Sequence, residues 1–493
     1  MTSVSPGGTT PPKPPPRTGG LPVPPSPPGP TRRWLADLAW LPGQGVRRDV
    51  LIEADGDRFT SVIPQTAATP QTAATPQTPP ATERLRGLTL PGFANAHSHA
   101  FHRALRGITQ ANRGTFWTWR ERMYEVAARL DPDSYLSLAR AVYAEMALAG
   151  VSCVGEFHYL HHQPDGRPYA DPNAMGRALV QAAAEAGLRM TLLDTCYLAG
   201  GLDQSGVLPL AGPQVRFSDG DGWRWAARVE ALGPDERGML SPHARAGAAI
   251  HSVRAVPPEH MHAVVAWASR RGDPVHIHMS EQRVENEACR AVYGVSPAQL
   301  LYDEDVLGPR TSVVHATHVG SADLELLGGS QVFACLCPTT ERDLGDGLAP
   351  ARPLAAAGCT LTLGSDSHAV IDILEEARGV EYAERLARRS RGHFTAEILL
   401  QAATSAGHTS LGWPDAGEIA PGAWADLVTV SMDSVRTAGA ADALALEAAV
   451  FAASATDVRT VIISGRDVVR DGIHQLIPDV PAELSRTIRA ALS

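Results

Sequence analysis

The sequence is short of cysteines, of basic runs and of long apolar stretches, and each shortage argues against a class of protein. Its six cysteines form no CxxC pair, so neither a disulfide framework nor a thiolate zinc site is indicated. With 43 basic against 53 acidic residues and no basic block, nothing favours a nucleic acid or an anionic membrane as partner. No window approaches about eighteen uninterrupted apolar residues, so we predict no membrane span. We expect a cytoplasmic protein that acts on a small molecule.

Two segments are too rich in proline, glycine, serine and threonine to pack a core. Residues 1–30 contain no apolar run, so we predict a disordered tail rather than a signal peptide. Residues 65–80 repeat the hexapeptide QTAATP between two strand-like stretches, which indicates an expanded surface loop. We expect neither segment to carry chemistry.

The rest of the chain alternates short apolar strands with helical stretches. A length of 493 residues with 44% hydrophobic composition is enough for one large barrel and a smaller domain. Eight strand–helix units over about 330 residues predict an α/β fold, a TIM-type (β/α)8 barrel. The alternative is an open doubly wound sheet, but no glycine-rich phosphate loop follows the first strand. The predicted strands begin at Leu88, Val151, Arg189, Ala246, Pro274, Thr311, Gln331 and Thr360.

Strand-like pieces at both chain ends flank the predicted barrel. Together they predict a small β-sandwich-like domain built from both ends of the chain. The predicted organisation is a tail over residues 1–30, the first part of the β domain over 31–90 and the barrel over 91–415. The second part of the β domain and a terminal helix follow over 416–493.

Polar residues at the strand ends are the candidates for chemistry, because those ends surround the active site of a (β/α)8 barrel. The same residue type within a helix is usually solvated. The candidates are His97, His99, Glu156, His158, Tyr159, His251, His278, Glu281, His315, His318, Asp366 and His368.

Four of these candidates form a plausible metal shell. His97 and His99 lie two residues apart, so strand alternation aims both at one face. An HxH pair alone is weak evidence, but His278 and Asp366 at other strand ends would complete three imidazoles and one carboxylate around a divalent ion. His276 competes with His278 from the same face. We prefer His278, which lies nearer the rim, and interpret His276 as a packed residue.

Hydrolysis at such a site also requires proton transfer. Glu281 follows His278 on the same rim and is the candidate general acid and base, although a glutamate favoured at a helix start is the alternative. His315 is placed to orient the attacking water. Asp366 can bind the metal and also accept the proton of the water, whereas we interpret His318 as structural.

Six motifs stand out along the chain: PGFANAHSHAFHRALRG, FHYLHHQPDGRPYADP, HIHMSEQ, HATHV, CPTTERDLGDG and GSDSHAVIDILEEARGVEY. Together they resemble the amidohydrolase superfamily and, within it, the formimidoylglutamate deiminases. The resemblance runs from about Arg33 to the C-terminus, and the motifs are specific in combination. AIHSVRAV, at the end of the fourth predicted strand, has no counterpart of the carboxylated lysine found in binuclear members, which implies a mononuclear site.

The resemblance implies a reaction and a cofactor. The reaction is hydrolysis of N-formimidoyl-L-glutamate to N-formyl-L-glutamate and ammonia, a step of histidine degradation. The cofactor is one divalent metal ion, expected to be zinc, with Fe²⁺ as the alternative that imidazole and carboxylate ligands also suit. The implied metal ligands are His97, His99, His278 and Asp366, and the implied catalytic residues are Glu281, His315 and Asp366.

The implied substrate carries two carboxylates, for which arginine is the best-shaped partner. The resemblance assigns substrate binding to His102, Arg120, Tyr159, His251 and Arg254. One position departs from the family pattern, which has HSHAFQR where this chain has HSHAFHR with His102. Glutamine offers a donor and an acceptor together, whereas histidine does so only when it is neutral. We also expect a homodimer that binds neither nucleic acid nor a membrane.

Two other functions stay open. A deaminase or chlorohydrolase of the same superfamily that acts on a nucleobase-like ring would share the metal ligands but need an aromatic or amide-lined pocket. Arg120 and Arg254 argue against it. A catalytically silent metal-binding or scaffold protein would keep the barrel, but the presence of Glu281 and His315 beside the ligands argues against that function.

Overall fold

The computed structural model describes residues 31–65, 82–111 and 116–493. The tail predicted over 1–30 and all but the first residue of the loop predicted over 65–80 lie outside these residues. The strands are β1 (Arg32–Leu41), β2 (Gly45–Asp55), β3 (Arg58–Pro64), β4 (Thr82–Pro91), β5 (Phe93–Ser98), β6 (Val151–His158), β7 (Arg189–Cys196), β8 (Gly201–Asp203), β9 (Gly206–Leu208), β10 (Met239–Ser241), β11 (Ala244–Ile250), β12 (Val275–Met279), β13 (Thr311–His315), β14 (Phe333–Leu336), β15 (Thr360–Leu363), β16 (Leu427–Val430), β17 (Val458–Ile463), β18 (Arg466–Arg470) and β19 (Ile473–His474).

Helices connect the strands, and several start at an aspartate that caps the free backbone N–H groups of the first turn. Asp131, Asp221 and Asp372 each accept a hydrogen bond from a backbone N–H two or three residues further on. The helices are α1 (Phe116–Arg129), α2 (Pro132–Leu148), α3 (Ala174–Ala186), α4 (Gly222–Glu230), α5 (Pro258–Ser269), α6 (Arg283–Tyr293), α7 (Pro297–Asp303), α8 (Ser321–Gly329), α9 (Pro338–Leu344), α10 (Ala351–Ala357), α11 (Ile373–Arg388), α12 (Ala396–Ala403), α13 (Ser405–Ser410), α14 (Ala445–Ala452) and α15 (Val480–Leu492).

Eight parallel strands form a nearly closed barrel. Their order is β5, β6, β7, β11, β12, β13, β14 and β15, and each pairs in parallel with the next. A single bridge between Ser98 and Asp366 joins the ends of the first and last strands. Strands such as β6 and β7 are buried along their whole length, as expected where helices cover the outer face of a parallel sheet. The predicted (β/α)8 barrel is confirmed.

A second sheet is built from the two ends of the chain. Its eight strands run in the order β19, β18, β17, β16, β4, β1, β2 and β3. β16, from the C-terminal part, pairs antiparallel with β4, from the N-terminal part. Trp34, Ile52, Phe59, Leu427 and Ile462 form part of one buried cluster on this sheet. The predicted pairing of both chain ends in one additional β-structure is confirmed.

The first predicted strand, residues 88–97, is two strands in two different sheets. Residues 88–91 end β4 in the second sheet, and β5 of the barrel begins at Phe93. Gly92 lies at the crossing, where an added Cβ would come within 2.4 Å of the Ser152 hydroxyl oxygen and 2.9 Å of the Asp426 Cβ. Only glycine fits this close approach, so the chain can pass between the sheets without leaving the core.

Among the helices of the described ranges, none has both the length and the apolar run that a bilayer crossing requires.

A buried ion pair joins the barrel to the second sheet beside this crossing. The guanidinium of Arg189, at the start of β7, forms a bidentate salt bridge with the carboxylate of Asp426, just before β16. The bond from Nη1 to Oδ1 is 2.9 Å long. Both side chains are 1% exposed. Asp426 also accepts a bond from the Ser464 N–H at 2.8 Å, and Arg189 lies 4.6 Å from the Trp424 ring centre. Burial opposes ionisation of Asp426, but Arg189 holds the pKa of this carboxyl below its ordinary value.

We predict that Asp426→Ala lowers the free energy of unfolding by about 3–5 kcal/mol, because it leaves the Arg189 charge buried without its partner. The measurement is urea unfolding followed by circular dichroism. The matched control is Asp165→Ala, which removes an exposed partner of Arg167 and should leave the midpoint almost unchanged. Equal midpoints for the two variants would contradict the structural role of the pair.

Candidate active site

A cavity of about 460 Å³ opens at the C-terminal ends of the barrel strands. It is the position that a (β/α)8 barrel favours for chemistry. Its lining includes three of the predicted metal ligands, all three predicted catalytic residues and all five predicted substrate-binding residues. The residues shared with the prediction are His99, His102, Arg120, Tyr159, His251, Arg254, His278, Glu281, His315 and Asp366.

Three imidazoles and one carboxylate converge beside this cavity. His97, His99, His278 and Asp366 are buried, and one ligand atom of each lies within 4.8 Å of the others. The His278 Nε2 lies 3.0 Å from the His97 Nε2 and 3.4 Å from the His99 Nε2. The Asp366 Oδ1 lies 3.4 Å from the His97 Nε2 and 3.4 Å from the His99 Nε2. Zinc bonds of about 2.0–2.1 Å in a tetrahedron separate neighbouring ligands by about 3.3–3.4 Å, so the donor set fits such an ion.

Second hydrogen bonds orient two of these rings. The His99 Nδ1 donates to the Phe157 carbonyl and the His278 Nδ1 donates to the His251 carbonyl, both at 3.0 Å. Because a carbonyl only accepts, each Nδ1 carries the proton and each Nε2 keeps its lone pair for the cluster. Burial lowers the pKa of His99 to about 3 and the pKa of His97 and His278 well below the ordinary value. Neutral imidazoles are the form that binds metal ions.

Backbone bonds across the barrel closure position the carboxylate. The His99 N–H donates to the Asp366 carbonyl at 3.2 Å, and the Asp366 N–H donates to the His97 carbonyl at 3.0 Å. Gly364 permits this approach, since an added Cβ there would lie 2.7 Å from the His97 Cβ. Asp366 itself has a φ of 41°, a left-handed conformation that costs free energy in a residue other than glycine.

The three predicted catalytic residues meet next to the cluster. The His315 Nε2 lies 3.8 Å from the Asp366 Oδ2 and 4.0 Å from the Glu281 Oε1. Burial alone would lower the pKa of His315, but the carboxylates of Glu281, Glu341 and Asp366 raise it to about 10. A divalent cation at the four ligands would oppose this rise, because it repels the imidazolium charge.

Sequence reasoning missed Glu341, which lies behind His315. Its carboxylate is 3.4 Å from the His315 Nδ1 and accepts the Cys337 backbone N–H at 2.9 Å. Glu341 is therefore placed to orient the imidazole from the side opposite Asp366 and Glu281. The motif CPTTERDLGDG contains it, and the position of this motif after the seventh barrel strand was the available signal.

The arginines on the cavity wall already have neighbours. Arg254 lies 3.3 Å from a Glu281 oxygen and 3.2 Å from a Glu285 oxygen. Arg120 donates to the Tyr124 hydroxyl at 2.9 Å. Glu285 also accepts the Ser280 N–H at 3.0 Å, so it is a fixed anchor for Arg254.

Two further hydrogen-bonded groups shape the cavity. The His102 Nε2 and the Tyr159 hydroxyl are 3.0 Å apart. The Gln214 side-chain amide donates to the Tyr124 and Tyr197 hydroxyls at 3.0 and 2.9 Å. Gln214 and Tyr124 were not predicted, because they belong to segments whose position over the barrel leaves no periodic signal. Tyr197 directly follows β7 and is a strand-end residue that the sequence analysis did not select.

Several polar strand-end candidates lie away from the cavity. Glu156 accepts the Ser98 hydroxyl and the Ala100 N–H, both at 2.7 Å, on the opposite face of β6 from Phe157. His158 shares that outer face and packs against the His161 ring. His318 bonds to the Asp346 carbonyl at 2.9 Å. His276, interpreted as packed, bonds to the Ser410 carbonyl at 3.2 Å, and His368 bonds to Ser365 at 2.9 Å.

Comparison with known proteins gives one family and several relatives. The model of the amidohydrolase family matches residues 88–468. A formimidoylglutamate deiminase from Pseudomonas aeruginosa is 37% identical over 450 residues, which cover 89% of this chain and 95% of that protein. An 8-oxoguanine deaminase from the same organism is 30% identical over 417 residues, covering 82% of this chain and 87% of that protein.

Solved structures share the fold. The crystal structure of an amidohydrolase from Brucella melitensis has a TM-score of 0.83 and 32% identity, and it covers 94% of this chain and 100% of that one. An adenosine deaminase from Xanthomonas campestris with bound zinc has a TM-score of 0.77 and 22% identity, over 93% of this chain and 97% of that one. At that identity the second likeness concerns the fold alone.

We predict that His278→Asn removes most of the bound metal, whereas His276→Asn retains it. Both residues lie on β12 and both are buried, but the His276 ring bonds to the Ser410 carbonyl rather than to the four-residue cluster. The measurement is metal content per chain by atomic emission after gel filtration, with circular dichroism to verify folding. Equal metal loss in both variants would mean that β12 contributes only to folding.

Proposed function

The chain belongs to the amidohydrolase family, and from this membership we propose that it hydrolyses N-formimidoyl-L-glutamate to N-formyl-L-glutamate and ammonia, a step of histidine degradation. The observation that carries the proposal is one cavity that joins a metal-ligand cluster to two arginines. A dicarboxylate with a hydrolysable amidine-like group needs both features. The similarity to the Pseudomonas aeruginosa deiminase over nearly the whole chain supports the same substrate.

We propose that His97, His99, His278 and Asp366 hold one zinc ion. When bound, such an ion lowers the pKa of a coordinated water and so supplies a nucleophile near neutral pH. β11 contains no lysine to bridge a second ion at its C-terminal end, which supports a single ion at these ligands. Three imidazoles and one carboxylate are a donor set that zinc favours, which supports the choice of metal.

The remaining groups handle protons. Asp366 presents its Oδ2 towards His315, so it can take a proton from the attacking water while His315 orients that water. The Glu281 Oε1 lies 4.0 Å from the same His315 ring nitrogen, and Glu281 can protonate the imino nitrogen of the substrate. The water oxygen would add to the formimidoyl carbon, the bond from that carbon to the protonated terminal nitrogen would break, and ammonia would leave as the formyl C=O forms.

Charge on the cavity wall supports an acidic substrate. Arg254 and Arg120 would bind the two carboxylates, with His102, Tyr159 and His251 as further contacts. Glu281 and Glu285 hold Arg254, and Arg120 donates to Tyr124. Both guanidinium groups therefore lie fixed on the cavity wall, where a carboxylate can accept their N–H bonds and a neutral nucleobase-like ring offers no matching charge. The dicarboxylate is therefore the substrate class that the wall favours. The homodimer and the cytoplasmic location stay predictions.

We predict ammonia release from N-formimidoyl-L-glutamate by the purified protein, and at least a hundredfold loss after treatment with a chelator. Activity should return on addition of zinc. The comparison substrates are guanine, 8-oxoguanine, cytosine and adenosine, tested at equal concentration. Faster release from any of these rings would overturn the proposed substrate, and unchanged activity after complete metal removal would overturn the metal role.

We predict that Glu281→Gln keeps the metal content of the native protein but lowers turnover by about 10²–10⁴-fold, as expected when a positioned general acid is lost. The control is Glu287→Gln, the same change on the exposed face of α6, which should retain native turnover. The measurements are steady-state ammonia release and metal content. Near-native turnover of Glu281→Gln would remove Glu281 from its assigned role.

A further inference from the structure

We propose that His315, Cys337 and Asp366 form a second, inhibitory binding site for soft divalent ions such as Cd²⁺ and excess Zn²⁺. One ligand atom of each residue lies within 4.8 Å of the others, and all three residues are buried. This group is separate from the first cluster except for the carboxylate that both share. The inhibitory effect rests on the proposed function, in which His315 and Asp366 act on the water.

The two oxygens of Asp366 point to the two groups of ligands. Its Oδ1 lies 3.4 Å from the His97 and His99 nitrogens, whereas its Oδ2 lies 3.8 Å from the His315 Nε2. A carboxylate can bridge two ions through its two oxygens. An ion at the second group therefore need not displace an ion from the first.

Cys337 supplies the donor that gives the second site its preference. It follows the last residue of β14 and packs in a small buried cluster with Ala96, Val314 and Cys335. Its backbone N–H is fixed by the Glu341 carboxylate at 2.9 Å. Sulfur, imidazole and carboxylate together suit zinc and cadmium, while a hard ion such as Mg²⁺ prefers oxygen alone. The thiol proton of Cys337 and a ring proton of His315 are both released to solvent as these two residues bind the ion.

The surrounding charge favours an additional cation. Carboxylates of Glu281, Glu341 and Asp366 lie within 4.0 Å of the His315 ring nitrogens. Asp346 interacts electrostatically with these groups. Asp346 is 5% exposed, and its Oδ2 has no hydrogen-bond partner in the described part of the chain. An unpartnered buried carboxylate oxygen beside a group of ligands is the feature that a bound cation would stabilise.

Occupancy of this site would stop the proposed reaction. The His315 nitrogen that orients the water and the Asp366 oxygen that takes its proton would both be bound to the second ion. The substrate arginines are not ligands, so we expect inhibition to lower turnover rather than to weaken substrate binding.

The experiment titrates the protein that holds one equivalent of metal with Cd²⁺ and, separately, with Zn²⁺. We expect a second bound equivalent, a near-ultraviolet absorption band from cadmium–thiolate bonding, and a more than tenfold loss of turnover at saturation. Cys337→Ala should keep the first equivalent and native turnover but lose the second equivalent, the band and the inhibition. Cys337→Ser, a closer replacement, should do the same and covers the case in which the alanine variant does not fold.

The matched control is Cys359→Ala, which removes another buried thiol, located just before β15, and should behave as the native protein. Metal stoichiometry and absorption are measured without substrate, so they test the site even if N-formimidoyl-L-glutamate is not the substrate. Inhibition and a second equivalent that persist in both Cys337 variants would overturn the proposal. So would titration of the native protein to a single equivalent only.

Discussion

The parallel contact between the ends of β5 and β15 closes the barrel and fixes the geometry of the whole site. Two backbone bonds link Asp366 to His97 and His99. Behind them, the Asn95 side-chain amide donates through Nδ2 to the Ser365 hydroxyl at 2.7 Å and accepts the Ser365 backbone N–H through Oδ1 at 2.9 Å. Residues about 270 positions apart in the sequence are thus held by four buried bonds, so a proposed metal ligand from the end of the last strand meets two from the end of the first.

This closure places a group of neutral imidazoles against a group of carboxylates. Burial keeps His97, His99 and His278 uncharged, because desolvation and the neighbouring imidazoles oppose an added proton more strongly than the nearby Asp366 favours it. On the other side, burial and neighbouring carboxylates, Glu281 first among them, raise the pKa of Asp346 to about 8. The negative charge of that side is what a metal ion and a cationic amidine-like group would both reduce. Arg254, which is paired with Glu281 and Glu285 on the cavity wall, offsets part of this negative charge.

The part of the site that could be predicted from the sequence is the part that strand periodicity determines. Because His97 and His99 alternate on one strand and His278 and Asp366 end others, all four could be assigned to one rim before any contact was known. The same rule failed for Glu156 and His158. A strand end has two faces, and the sequence does not show which of them points into the barrel. The junction at Gly92 escaped prediction because β4 and β5 form one continuous apolar run. Glu341 was missed because its contact with His315 depends on the position of α9 relative to that residue, which is determined by tertiary packing.

His102 occupies a position where the family pattern has glutamine, and burial determines which protonation state of the histidine is present there. The family pattern has glutamine there, which always offers a donor and an acceptor, while histidine does so only as the neutral ring. Burial first, and the neighbouring His99 next, lower the pKa of His102 well below its ordinary value, so the neutral form persists across the physiological range. The Tyr159 hydroxyl takes up one ring nitrogen, and Nδ1 has no hydrogen-bond partner among the described residues. A buried, neutral histidine has one donor and one acceptor, as glutamine does, but the bond to Tyr159 uses one of them and leaves only Nδ1 for a substrate.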